Sequence, residues 1–283
     1  MINYDGKDTI SIHPLLQTLL RYQLVQSVAH QPVIAKTLTV TWYETLLRFF
    51  IHNESIFKSH NSFAQLLETR EHFAQKFKNQ YNDNMAELDL MVAPVYYYQE
   101  RFDEYRKSLD KVNLYLSGKP DREFLKSKLG YLYSAYFRKK GDYNLAEQKL
   151  NEAINIFAKI KPTENYRAPQ IRSLQAKILF NEADLIFYKN RYLPQQERDI
   201  TSLKYAASLT RKMTSICMQN KDMRNTLKSV ELRGRLLSLL NDNMRVIKEF
   251  SKYDDILEAE TSGDIRLRMV FYMTYSDAYL TSV

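Results

Sequence analysis

Residues 127–160, SKLGYLYSAYFRKKGDYNLAEQKLNEAINIFAKI, constrain the fold more tightly than any other stretch of the chain. Before the turn KKGDYN, Leu129, Tyr133 and Phe137 recur at i, i+4 and i+8. After it, Ala146, Leu150, Ala153 and Phe157 recur at i, i+4, i+7 and i+11. Both spacings are apolar stripes of amphipathic α-helices. Gly141 can take the left-handed backbone that ends the first helix, and Asp142 is a good N-cap for the second. The small Ala146 and Ala153 let the two helices approach closely. A lone helical hairpin cannot bury both of its stripes, so this one must stack on neighbours of the same kind.

The rest of the chain is compatible with such a stack. Its 283 residues contain only 6 Gly and 7 Pro, with long helix-favouring segments between them. The expectation is an all-α protein, with helices near 38–58, 62–82, 85–99, 102–117, 121–139, 143–160, 167–189, 195–219, 222–240, 243–260 and 263–281. Hairpin turns are expected at residues 99–101, 140–141, 189–191 and 241–243, spaced roughly 40 to 50 residues apart, within the approximate range of helical repeats. The 21 Tyr and 14 Phe mostly fall at helical spacing and read as packing residues. No Pro/Gly/Ser-rich linker interrupts residues 37–283, which predicts one continuous array. Residues 1–36 differ: Thr9, Ile10, Ser11 and Ile12 alternate like a short strand, and Pro14 opens a helical stretch, LLQTLLRYQL.

Two resemblances follow from these residues. Tyr133, Phe137, Gly141, Tyr143, Ala146, Leu150 and Ala153 resemble the tetratricopeptide repeat, with departures at Gly130, Ser134 and Ala158, where that family usually has Trp, Gly and Pro. The string DGKDTISIHPLLQTLLRYQL, residues 5–24, resembles the last strand and helix of the winged-helix module in bacterial signal-transduction ATPases of the STAND type. Its matching residues are Asp5 and Gly6, Ile10 and Ile12, then His13, Pro14, Leu15 and Leu19. In those proteins a nucleotide-binding domain and a winged helix precede a helical repeat array. The implied fold is therefore a right-handed superhelical α-solenoid of degenerate tetratricopeptide-like hairpins over residues 37–283, preceded by a strand-and-helix remnant of a linker domain. The nucleotide-binding domain would lie elsewhere in the same system.

Enzymatic chemistry finds no footing in the sequence. The phosphate-cradling G-x-x-x-x-G-K-[ST] loop and the G-x-S-x-G elbow are both missing. His13, His30, His52, His60 and His72 form no H-E-x-x-H pattern, so no metal site or other cofactor is expected. Cys217 is the single cysteine, which excludes an intramolecular disulfide, agrees with a cytoplasmic setting and reads as inert burial. Asp103–Glu104 and Asp254–Asp255 are neighbours in sequence, which points their carboxylates to different sides of a helix. The longest apolar run, residues 90–98, is far short of the roughly 20 residues a membrane helix needs.

Two binding surfaces are better motivated. In the tetratricopeptide family the first helix of each hairpin lines a concave groove, and the resemblance carries that role to Lys128, Tyr131, Ala135, Arg138 and Lys139. Cations beside an aromatic suit an acidic segment or a terminal carboxylate; ordinary solvated Lys and Arg are the alternative. On the next such helix, Asn181 and Asp184 sit at i and i+3 in an apolar stripe and could hydrogen-bond a peptide backbone. The second surface is a basic row, Lys221, Arg224, Lys228 and Arg235, opposite Met223, Leu227, Val230 and Leu237. It belongs to residues 204–248, where ten basic residues face three acidic ones, a net of +7 in a chain whose total is +8. An ordinary solvated helix face is the first reading of this row; acidic partners, which such a concentration steers, come second, and nucleic-acid phosphates third. The function expected is that of a non-catalytic protein- or peptide-binding module, the sensor or docking portion of a bacterial regulatory protein, with an acidic ligand. The alternative is nucleic-acid or acidic-partner binding through residues 204–248.

Overall fold

The structure, a computed structural model, describes residues 2–4, 10–12, 63–76, 81–163, 166–260 and 265–281. Contacts divide the chain into two units, residues 1–49 and 50–283. In the first, β1 (Ile2–Tyr4) pairs antiparallel with β2 (Ile10–Ile12), with Ile2 opposite Ile12 and Tyr4 opposite Ile10. The helix expected after Pro14, the helix over 38–58 and the boundary near residue 36 all lie outside the described residues.

In the second unit every described regular element is helical. The α-helices are α1 (Phe63–Lys76), α2 (Asp83–Tyr98), α3 (Phe102–Leu116), α4 (Glu123–Lys139), α5 (Tyr143–Phe157), α6 (Ala168–Asn190), α7 (Ile200–Gln219), α8 (Met223–Leu239), α9 (Asn243–Phe250), α10 (Asp254–Glu260) and α11 (Ile265–Leu280). Two of the expected helices change. The one over 195–219 begins only at Ile200, because the Asp199 side chain accepts the backbone N–H of Ser202 at 3.0 Å and caps α7 there. Residues 195–197 form a separate 3₁₀ turn. The helix over 243–260 divides in two: α9 stops at Phe250, the Tyr253 N–H closes a turn on the Phe250 carbonyl at 2.9 Å, and α10 starts with Asp254 and Asp255 in its first turn. Carboxylates there meet the positive end of the helix dipole.

Four helix pairs are joined by the same tight turn. The residue after the helix takes a left-handed backbone: Glu100 (φ 59°), Gly141 (82°), Lys221 (54°) and Asn241 (58°). The N–H of the following residue reaches back to the carbonyl five positions earlier, from Arg101 to Tyr96, Asp142 to Phe137, Asp222 to Cys217 and Asp242 to Leu237, at 2.8–3.0 Å. This pattern satisfies carbonyls that a helix end leaves open. After it, Asp142 and Asp222 cap the next helix through their side chains, at 3.0 Å to Leu145 N and 3.2 Å to Asn225 N. The turn at Lys221 was expected only as a helix boundary. The hairpin expected at 189–191 is instead a longer connection over residues 191–199, since α6 runs through to Asn190.

From α1 to α9 each helix packs on its neighbour in sequence, while α10 packs on α8 and α11 on α9. In addition α2 packs on α4, α4 on α6, α6 on α8 and α8 on α11. The α4–α5 pair shows why the approach is close. Ala146, Leu150 and Ala153 of α5 are buried, and a Cβ placed on Gly130 of α4 would lie 2.8 Å from the Cβ of Ala153. The Trp that the repeat family carries at that position has no room here. Ser127 adds a buried hydrogen bond, donating to the Ala153 carbonyl at 2.9 Å. Farther along, a Cβ on Gly234 of α8 would meet the Phe250 ring at 2.4 and 2.5 Å, and Phe250 itself stacks on Phe271 of α11 with ring centroids 4.1 Å apart. Among the described residues, no helix is long and apolar enough to cross a membrane.

Candidate partner-binding face

The mutual packing of α2, α4, α6 and α8 brings the residues proposed from sequence into one neighbourhood, with a different role from the one expected. Arg138, near the end of α4, is only 5% exposed. Its Nη2 lies 2.8 Å from Asp184 Oδ2 and its Nη1 donates to Asn181 Oδ1 at 3.2 Å, both on α6. Its guanidinium sits 5.2 Å from the centre of the Tyr188 ring and is near enough to Tyr97 of α2 for the two to interact electrostatically. Burial works against the guanidinium charge, but Asp184 more than offsets it, and the Arg138 pKa is raised. Asn181 and Asp184 are likewise buried, so they face Arg138 and not a peptide backbone.

Lys128 repeats the arrangement two to three turns earlier. It is 3% exposed and its Nζ lies 3.6 Å from Glu87 of α2. Glu87 also acts electrostatically on the half-buried Tyr166, whose ring stacks on Phe124 at 4.0 Å. Tyr131, between the two cations, is buried. The expectation that Lys128, Tyr131 and Arg138 line an open groove is therefore corrected. The reason is crowding: α4 is covered by α2 and α3 on one side and by α5 and α6 on the other. A cation on such a helix must find its counter-charge inside the protein. Of the groove residues carried over from the repeat family, Ala135 is half-buried and Lys139 is exposed.

The basic row on α8 is also redistributed. Lys221 is not on the helix at all; it holds the left-handed turn before it. Arg235 is ion-paired within its own helix, donating from Nη2 to Glu231 Oε2 at 2.7 Å and lying 4.8 Å from the Phe187 ring. Glu231 is buried, and burial pushes its carboxyl up despite Arg235. The neighbouring Arg233 is buried against Glu249 of α9. Both faces of α8 are thus covered, which the clean split between a basic and an apolar face did not anticipate. Arg224 is half-buried and holds an interaction of its own.

Lys228 differs from these. It is half-buried, and its Nζ lies 5.8 Å from the centre of the Tyr98 ring, on α2. Tyr98 is 39% exposed and packs edge-on against Tyr97, with centroids 5.7 Å apart. One connected set of side chains thus runs from Tyr98 and Tyr97 through Arg138 to Asp184 and Tyr188, and from Tyr188 through the Phe187 ring to Arg235 and Glu231. Its outer end is an exposed aromatic beside a half-buried cation. Tyr97, Tyr98, Tyr188 and Glu231 were not proposed from sequence as one site. The available sign was the run Tyr96-Tyr97-Tyr98 at the end of α2, together with charged residues embedded in otherwise apolar stripes.

Compared with protein-family models and with curated proteins, the chain matches none.

Proposed function

We propose that the chain is a non-catalytic partner-binding array of tetratricopeptide-like hairpins, wound as a right-handed solenoid. In this reading it is the sensor or docking portion of a bacterial regulatory protein that works in the cytoplasm. Its N-terminal segment would be the tail of a winged helix, tying the array to a nucleotide-binding domain in the same system. The observation that carries the reading is the pairing of Tyr98 with Lys228 at the rim of a neutralised charged interior. Arg138 and Lys128 are held by Asp184 and Glu87, so the side chains around them are fixed before any ligand arrives. A fixed aromatic and a cation can take an acidic peptide at low ordering cost. The aromatic covers an apolar side chain and Lys228 meets a carboxylate.

The test is titration of the whole chain with acidic peptides, or recovery of a partner on it, using Lys228→Glu and Tyr98→Ala. Neither residue is part of the packed core, so both variants should keep the wild-type melting temperature within a few degrees. Affinity should fall about tenfold or more in each. Binding that is unchanged in both variants removes this face from consideration.

A further inference from the structure

Outside this face, the most one-sided surface among the described residues is the outward side of α7. Its 20 residues, ITSLKYAASLTRKMTSICMQ, contain no carboxylate. Leu203, Ala206, Leu209, Thr210, Met213 and Cys217 are buried on its inner side. Lys204, Arg211 and Lys212 are exposed on the other, and Lys221 follows just past the helix end. Among the described residues none of these four cations has an ion pair. The carboxylates that border the helix are already engaged: Asp199 caps Ser202, Asp222 caps Asn225, and Glu182 accepts from the Tyr205 hydroxyl at 2.9 Å. Of the excess in residues 204–248, α7 holds three cations with no carboxylate and, among the described residues, no ion pair, whereas Arg233 and Arg235 of α8 are held by Glu249 and Glu231.

We infer that the outward face of α7 docks an acidic amphipathic helix of a partner protein. Lys204, Ser208, Arg211 and Ser215 stand at i, i+4, i+7 and i+11 and share one line along the helix. Lys204 and Arg211 are seven residues apart, about 10.5 Å at the helical rise. A helix laid alongside presents its own side chains at the same seven-residue interval, so carboxylates spaced in that way meet both cations. The flanks are apolar. Tyr205 is 48% exposed with its hydroxyl tied to Glu182, and Met218 is 46% exposed on the other edge. A packed helix covers both. A phosphate backbone would use the cations and leave the two apolar flanks wet, and the single tethered Tyr205 is no platform for stacked bases. The mixed cationic and apolar face therefore favours protein over nucleic acid.

This inference does not rest on the Tyr98–Lys228 face, and its test separates the two. The whole chain is titrated, with fluorescence anisotropy as the readout, against a synthetic helical peptide of about three heptads. The peptide carries Glu at seven-residue intervals flanked by Leu. The same residues in an order that breaks the interval, and a short DNA duplex, are titrated in parallel. The ordered peptide should bind more tightly than either control. The double variant Arg211→Glu/Lys212→Glu should weaken it about tenfold or more with no change in melting temperature, since both side chains are exposed. Lys228→Glu should leave it unchanged. The inference is overturned if the ordered peptide does not bind, if the reordered peptide binds equally well, or if the double variant binds as wild type does. A duplex that binds more tightly than the peptide, with the same sensitivity to the double variant, would assign the face to nucleic acid instead.

Discussion

Arg138 on α4 and Asp184 on α6 meet at 2.8 Å with both side chains almost sealed from solvent. The two residues are 46 positions apart in sequence, and each was read there as part of an open binding surface. Their pairing turns two candidate ligand contacts into one internal contact between consecutive inner helices. The Lys128–Glu87 pair does the same between α4 and α2. Buried ion pairs of this kind contribute little against an apolar replacement, yet removing one partner strands the other, at a cost of about 3–5 kcal/mol. Substitution of Arg138 or Lys128 therefore reports on folding before it reports on recognition.

Gly234 should be intolerant of any side chain. A Cβ there falls 2.4 Å from the Phe250 ring, which is itself stacked on Phe271. Gly234→Ala should cost about 1–3 kcal/mol through overpacking of the α8–α9–α11 contact. Chemical denaturation of Gly234→Ala, alone and with Phe250→Leu, measures this. The second substitution should recover part of the loss.

Lys221 should be improvable. Its left-handed backbone, φ 54°, strains a residue with a Cβ. Gly at this position removes the strain, so Lys221→Gly should raise stability by about 0.5–1 kcal/mol, net of the extra freedom Gly has in the unfolded chain. The mirror experiment is Gly141→Ala, which should lower stability by about 1 kcal/mol for the same reason. Thermal melts of the two variants should move in opposite directions.

Cys217 should be inert in the native protein. Burial, reinforced by Asp222, pushes its thiol from 9.0 up to about 12. The thiolate is the reactive form, so at pH 8 a thiol reagent should modify the unfolded chain quickly and the native chain only as fast as it opens. The linkage has a definite sign. A folded-state pKa above the unfolded one contributes stability that is complete below pH 9.0 and is lost as pH rises through about 12. Cys217→Ala should accordingly flatten part of the alkaline fall in melting temperature. Rapid native labelling at pH 8 would contradict the burial.

The parts of this molecule legible in sequence were those governed by local chemistry. The apolar stripes of α4 and α5, the left-handed Gly141 and the Asp142 cap follow from periodicity and backbone preference, and the structure places Ala146, Leu150 and Ala153 in the core. Tertiary burial was not legible. Lys128 and Arg138 have the spacing of surface cations, and nothing within α4 states that α2 and α6 cover them. The identity of the covering carboxylates, Glu87 and Asp184, depends on which helices meet, and that depends on turn geometry. Lys221 shows how turn geometry hides: a Lys in a left-handed turn has no residue-type marker, whereas Gly141 does. The break between α9 and α10 was hidden likewise, since no Gly or Pro marks residues 250–254.

In the proposed function the inner cations hold consecutive hairpins together and recognition falls to the rim. A double-mutant cycle on Arg138 and Asp184, read by denaturant unfolding, tests it most directly. Arg138→Met and Asp184→Leu should each cost about 3–5 kcal/mol. Together they should cost far less than the sum, a coupling of about 2 kcal/mol or more, and the doubly substituted protein should still bind the acidic peptide through Tyr98 and Lys228. Additive losses, or single variants that fold like wild type and lose the peptide, would contradict it.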